Sequence, residues 1–126
     1  MKTGLLFLMT AAASSLLLSR AASAQDPVKV APNAYQVLLE NEHVRVLDVR
    51  LPAGGKSPMH SHPAYVVYAL SDGKVRFTPP KGKPEEIDIK AGQATWRPAE
   101  THAVENIGPD VHVLNIELKG APHRRR

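Results

Sequence analysis

Residues 54–73, GGKSPMHSHPAYVVYALSDG, decide how the rest of the chain is read. His60 and His62 stand one residue apart within this stretch. Alternate side chains of a β-strand leave the same face, so two imidazoles at this spacing can converge on one ion. Neutral imidazole is a common ligand of first-row transition metals. A His-x-His pair also arises by chance in a chain with six histidines, so its meaning depends on its surroundings. Pro52-Ala53-Gly54-Gly55 before it is a turn signal, and Ser71-Asp72-Gly73 after it carries hairpin chemistry. Between them, residues 64–70 are apolar apart from the tyrosine hydroxyls, as expected of a central strand covered on both faces.

Outward from this stretch, short strand patterns alternate with turns. Before it, residues 35–39 and 44–51 read as strands, and the apolar phase slips within the second, which suggests a bulge or cover on both faces. After it, residues 74–78, 85–89, 93–97, 102–106 and 111–118 continue the series, divided by Gly, Pro and Asp clusters. No part of this region shows helical periodicity. The pattern predicts an all-β sandwich or barrel.

A second stretch, residues 92–106, GQATWRPAETHAVEN, supplies a third histidine. Alternation puts His102, Val104 and Asn106 on one face. Joined to His60 and His62, His102 makes a three-imidazole site with open coordination positions, the arrangement of catalytic rather than closed structural metals. The chain has no cysteine, so imidazole, carboxylate and water are the ligands left to an ion.

The ends are read separately. Lys2, the apolar run of residues 5–18 and Ala22-Ser23-Ala24 form a signal-peptide pattern over residues 1–24, with cleavage expected before Gln25. The run is short for a bilayer span and no cysteine follows it to take a lipid, so no stable membrane anchor is expected. The expected location is exported, in a bacterial periplasm or secreted. Residues 25–34 form an arm with Pro27 and Pro32, residues 35–118 the barrel, and residues 119–126 a basic tail. The formal net charge of +4 owes much to Lys2, Arg20 and the three terminal arginines. No basic stripe is interleaved with aromatics, so nucleic acid is not an expected partner.

The two stretches resemble the two motifs of the cupin family. Gly54, His60, His62 and Gly73 fall on the spacing of the first, with Val66 where that motif carries glutamate. Gly92, Pro98, His102 and Asn106 fall on the second, with Glu100 in place of a glycine and the Pro-to-His interval one residue shorter. The resemblance implies a double-stranded β-helix, or jelly-roll, barrel. It also implies that His60, His62 and His102 bind one divalent transition metal without the usual carboxylate, as in three-histidine iron dioxygenases. Iron, zinc, copper and nickel are not distinguished by this donor set.

Val66, Tyr68 and Trp96 are the expected pocket-lining residues. Glu100 and Glu105 are candidates to replace the missing acid. His112 is expected in the core with Leu114, Ile116 and Leu118. No residue is singled out as catalytic. Three functions remain open: a metal-dependent enzyme, dioxygenase-type, acting on a small organic molecule; a non-catalytic module binding a small molecule or metal; and a degenerate structural cupin. The apolar surface of the strands predicts a homodimer.

Overall fold

The computed structural model describes residues 25–120, so the expected signal and residues 121–126 of the tail lie outside the described residues. The arm contains one helical turn, α1 (Pro27–Val30), in place of the irregular segment its prolines suggest. Asp26 caps the turn by accepting from the Val28 N–H at 2.9 Å. Pro27 suits the first helical position because its φ is already helical and no N–H is needed there.

Nine strands follow: β1 (Tyr35–Glu40), β2 (Val44–Leu51), β3 (Lys56–His62), β4 (Tyr65–Ala69), β5 (Gly73–Thr78), β6 (Glu85–Ile89), β7 (Ala94–Arg97), β8 (Glu100–Asn106) and β9 (Val111–Leu118). They pair into a five-stranded sheet, β1-β2-β9-β4-β7, and a four-stranded sheet, β3-β8-β5-β6, with every pairing antiparallel. The expected all-β double-stranded β-helix is the observed architecture. Leu47, Val49, Leu51, Val75, Val104, Val111 and Val113 fill the space between the sheets.

Four local readings change. The segment holding the histidine pair is a full strand, β3, and it carries a bulge. Ser57 pairs with Val104 and His60 with His102, so three steps along β3 oppose two along β8. Ser57 and His60, an odd number of residues apart, are therefore both buried, as a bulge permits. Of the two readings of residues 44–51, the bulge is not found there: β2 pairs with β9 without a break, and the register shift lies in β1, between Val37 and Leu39.

Ser71-Asp72-Gly73 is not a hairpin: β4 belongs to one sheet and β5 to the other, so this turn carries the chain across the barrel. A side chain at Gly73 would begin 2.5 Å from the Val111 methyl, which explains the glycine by close approach. Finally, β4 is not covered on both faces. Tyr65 and Ala69 are buried, whereas Tyr68 is exposed.

Candidate metal centre

Two neighbouring strands of the smaller sheet bring the three predicted ligands together. His60 and His62 project inward from β3, and His102 stands directly across from His60 on β8. All three are buried, and one ring nitrogen from each lies within 4.8 Å of the others. The ring centroids are 4.7 Å (His60–His62), 4.9 Å (His60–His102) and 5.3 Å (His62–His102) apart.

Hydrogen bonds fix two of the rings. His60 Nδ1 donates to the Pro58 carbonyl at 2.7 Å, within the bulge. His62 Nδ1 donates to Glu117 Oε2 at 2.7 Å. In a neutral imidazole a proton on Nδ1 leaves Nε2 with a free lone pair, the form a metal takes. The Tyr35 hydroxyl lies 3.4 Å from His60 Nε2. His102 Nδ1 is 3.2 Å from Glu100 Oε1 but off the line of a hydrogen bond, and this buried atom has no hydrogen-bond partner.

Burial disfavours charge on these rings. It pushes His60 down from 6.5 to about 4, outweighing the Pro58 carbonyl, with His62 and His102 adding repulsion. Burial likewise lowers His102, against the pull of Glu100. The donor set therefore fits a first-row divalent ion: neutral imidazoles at His60 and His102, Nδ1 protons of His60 and His62 tied to protein acceptors, and a buried nitrogen on His102 that no protein group satisfies.

The larger sheet supplies the far wall. Tyr65 packs on His62 with centroids 4.5 Å apart, and its hydroxyl donates to Glu100 Oε2 at 2.8 Å. Arg97 grips the same carboxylate through two hydrogen bonds of 2.7 and 2.8 Å, and lies 4.9 Å over the Phe77 ring. Phe77 packs on His102, centroid to centroid 4.2 Å. Burial alone would raise the Glu100 carboxyl, but Arg97, then His102 and the Tyr65 hydroxyl, hold it well below the usual carboxylate range. Of the two acids considered as replacements for the missing ligand, Glu100 lies beside His102, whereas Glu105 pairs with Arg76.

An apolar cavity of about 60 Å³ adjoins His62 and His102, lined by Tyr35, Tyr65, Val67 and Phe77 among others. A second of the same size shares Val67 and Phe77 with it and lies between β6 and β7, one edge strand of each sheet.

The expected pocket lining is corrected by one residue. Val66, Tyr68 and Trp96 stand on the outer face of the larger sheet, where Val66 pairs with Trp96 and Ile116. Their inward neighbours Tyr65 and Val67 line the cavity instead. Position 66 thus faces away from the histidines, and the inward position, 67, is also valine, so the motif's carboxylate is absent on either count. The phase of β9 shifts in the same way. Val111, Val113, Asn115 and Glu117 face inward, and His112 is half-buried on the outer side, 2.6 Å from Asp48.

Glu117, Arg45, Tyr65 and Tyr35 belong to the site and were not read from the sequence. Strict alternation from Val111 marks Asn115 and Glu117 as inward; the apolar partners of His112 pointed to the opposite phase.

A double-stranded β-helix with three inward histidines on neighbouring strands defines the class. Solved structures agree on the fold. A cupin domain from Bordetella pertussis Tohama I superposes with a TM-score of 0.64 at 29% identity, over 68% of this chain and 92% of that one. An RmlC-like cupin from Methanocaldococcus jannaschii gives 0.55 at 19%, over 68% and 79%. The DMSP lyase DddQ from Ruegeria pomeroyi gives 0.53 at 20%, over 73% and 49%. The last two likenesses concern the fold alone. No family model and no curated protein sequence matches. The chain has the double-stranded β-helix fold of these cupin proteins.

Proposed function

We propose that the protein binds one divalent transition metal through His60, His62 and His102 and acts on a small organic molecule held at the adjoining cavity. The observation that carries this reading is the trio itself: three buried imidazoles on neighbouring strands, with their ligand atoms within 4.8 Å. A divalent ion held there supplies a Lewis acid and open coordination positions, the equipment of metal-dependent enzymes, oxygenases among them.

The surrounding residues limit the ligand. A water-sized group needs about 10–15 Å³ of such space, so a cavity of about 60 Å³ takes only a handful of them. Its walls are largely valine, leucine and aromatic carbon, which favours an apolar body. Tyr65 holds its proton against Glu100, and burial together with that carboxylate raises the hydroxyl's pKa. The ionised Glu100 and the Tyr65 hydroxyl form a proton-holding pair at the edge of the cavity.

The proposal extends to location and assembly. The signal pattern of residues 1–24 supports export and maturation at Gln25. The outer face of the larger sheet, with Leu39, Tyr68 and Trp96 exposed beside Val46, Val66 and Ile116, supports a two-fold dimer of this chain.

The test is elemental analysis of the mature protein isolated from the exporting cell, with His102→Ala and His112→Ala alongside. We expect close to one metal per chain in the wild type and in His112→Ala. In His102→Ala, affinity should fall at least about 100-fold, because even outer-shell partners are worth 10–100-fold. A metal-free wild type, or equal stoichiometry and affinity in His102→Ala, would sink the three-histidine site.

A further inference from the structure

Behind His62 a chain of acidic and basic side chains runs to the N-terminal arm. Glu117 is buried, at 2% exposure, between Arg45 of β2 and Tyr65 of β4. Its Oε2 accepts from His62 Nδ1, and its Oε1 accepts from Arg45 Nε at 2.7 Å. Arg45 in turn donates from Nη1 to Asp26 Oδ2 at 2.7 Å and from Nη2 to Asp26 Oδ1 at 3.2 Å. Asp26 is the residue that caps α1. A second tie joins the arm to the same strand: the N–H of Ser61, between the two histidines, donates to the Gln25 carbonyl at 2.9 Å.

A buried ion pair is seldom the best solution for stability, since desolvation of both charges consumes much of the attraction. Here the arrangement has a second consequence. A carboxylate on the far nitrogen of a ligating histidine fixes the tautomer and ring orientation and raises ligand basicity. Asp26, Arg45 and Glu117 together also set two carboxyl groups against one guanidinium behind the three histidines, an arrangement suited to offset part of a divalent ion's charge. Strands β3 and β4 contribute no carboxylate to the cavity, so these carboxyl groups come from β9 and the arm.

We infer that Glu117 is the positioning residue of His62, and that Asp26 and Arg45 make the N-terminal arm part of the metal site. This rests on the metal-binding reading for its consequence but not for its geometry, and the experiment separates the two. Glu117→Ala, Glu117→Gln and Asp26→Ala are compared with wild type in two measurements. The first is Co(II) affinity and the Co(II) visible spectrum. The second is the tautomer of His62 in metal-free protein, from long-range proton–nitrogen correlation spectra.

We expect wild-type His62 to carry its proton on Nδ1. Glu117→Ala should mix the tautomers, weaken Co(II) binding 10–100-fold and alter the spectrum. Glu117→Gln, which keeps an acceptor oxygen, should restore the tautomer and part of the affinity. Asp26→Ala, at a partly exposed position, should keep the fold and shift both readouts in the same direction by a smaller factor. Unchanged His62 tautomer in Glu117→Ala and Asp26→Ala would overturn the inference, whatever the metal does. The expected tautomer changes in a protein that binds no Co(II) would uphold the positioning role and reject the metal reading instead.

Discussion

At His60 a single imidazole sets a pH dependence of defined sign. Its pKa is about 4 when buried and 6.5 otherwise. Between these values the unfolded chain binds more protons than the folded one, so stability rises with pH across the window. It is present in full above about 6.5 and is lost as pH falls toward 4. The shift corresponds to at most roughly 3 kcal/mol, at 1.36 kcal/mol per pKa unit. Metal-free protein should therefore show a falling urea midpoint from pH 6.5 to 4, and His60→Gln should flatten that slope. A midpoint that moves equally in both proteins would assign the acid sensitivity to other groups. Bound metal should steepen the wild-type slope, because protonated imidazole cannot coordinate.

Among the elements, the β8–β9 connection is pinned by one side chain. Asn106 is buried; its Nδ2 donates to the carbonyls of Leu51 and Pro109, each at 2.8 Å, and its Oδ1 accepts from the Gly108 N–H at 2.9 Å. Two strand ends and a turn thereby share one amide, four residues from His102. Asn106→Ala leaves these backbone groups without that partner, and each buried unsatisfied group costs about 1–3 kcal/mol. We expect a loss of about 2–3 kcal/mol in equilibrium denaturation, with metal affinity less affected than stability. A change under about 0.5 kcal/mol, the range of ordinary surface substitutions, would show that water replaces the amide without penalty. The bulge in β3 acts at the same scale: one extra residue turns both Ser57 and His60 inward and lets the Pro58 carbonyl accept from the ring.

For the whole molecule, the two faces of the larger sheet have changed roles. Its inner face carries Arg45, Tyr65, Asn115 and Glu117 among the core residues, while its outer face gathers Leu39, Val46, Val66, Tyr68, Trp96 and Ile116. Trp96 is 58% exposed. An extended apolar sheet face rarely stays in water, and its pairing with a second copy is the simplest closed arrangement. Sedimentation at micromolar concentration should give a dimer for the wild type. Trp96→Glu should give a monomer whose stability differs little from that of a dissociated wild-type chain, since the side chain lies on the outer face and is not part of the core. A monomeric wild type would remove the dimer.

From the sequence alone came the all-β architecture, most strand positions, and the three histidines as one candidate site. These were legible because turn residues and period-two patterning are local, and because His60, His62 and His102 sit on motif spacings that survive in this chain. Which face of each strand is inside was not local. Alternation assigns the apolar side to the core, and that rule fails where the outer face is apolar and the inner face holds the polar groups of a site. Hence the side of β9 that carries His112, Leu114, Ile116 and Leu118 is expected inside although Glu117 is the inward residue, and in β4, apolar on both faces, alternation does not choose between Val66 and Tyr65. The bulge that re-aims His60 and the link from Asp26 through Arg45 to Glu117 and His62 were likewise decided only by tertiary structure. They join residues up to 91 positions apart, from Asp26 to Glu117, and only the packed barrel supplies the distances on which hydrogen bonds and ion pairs depend.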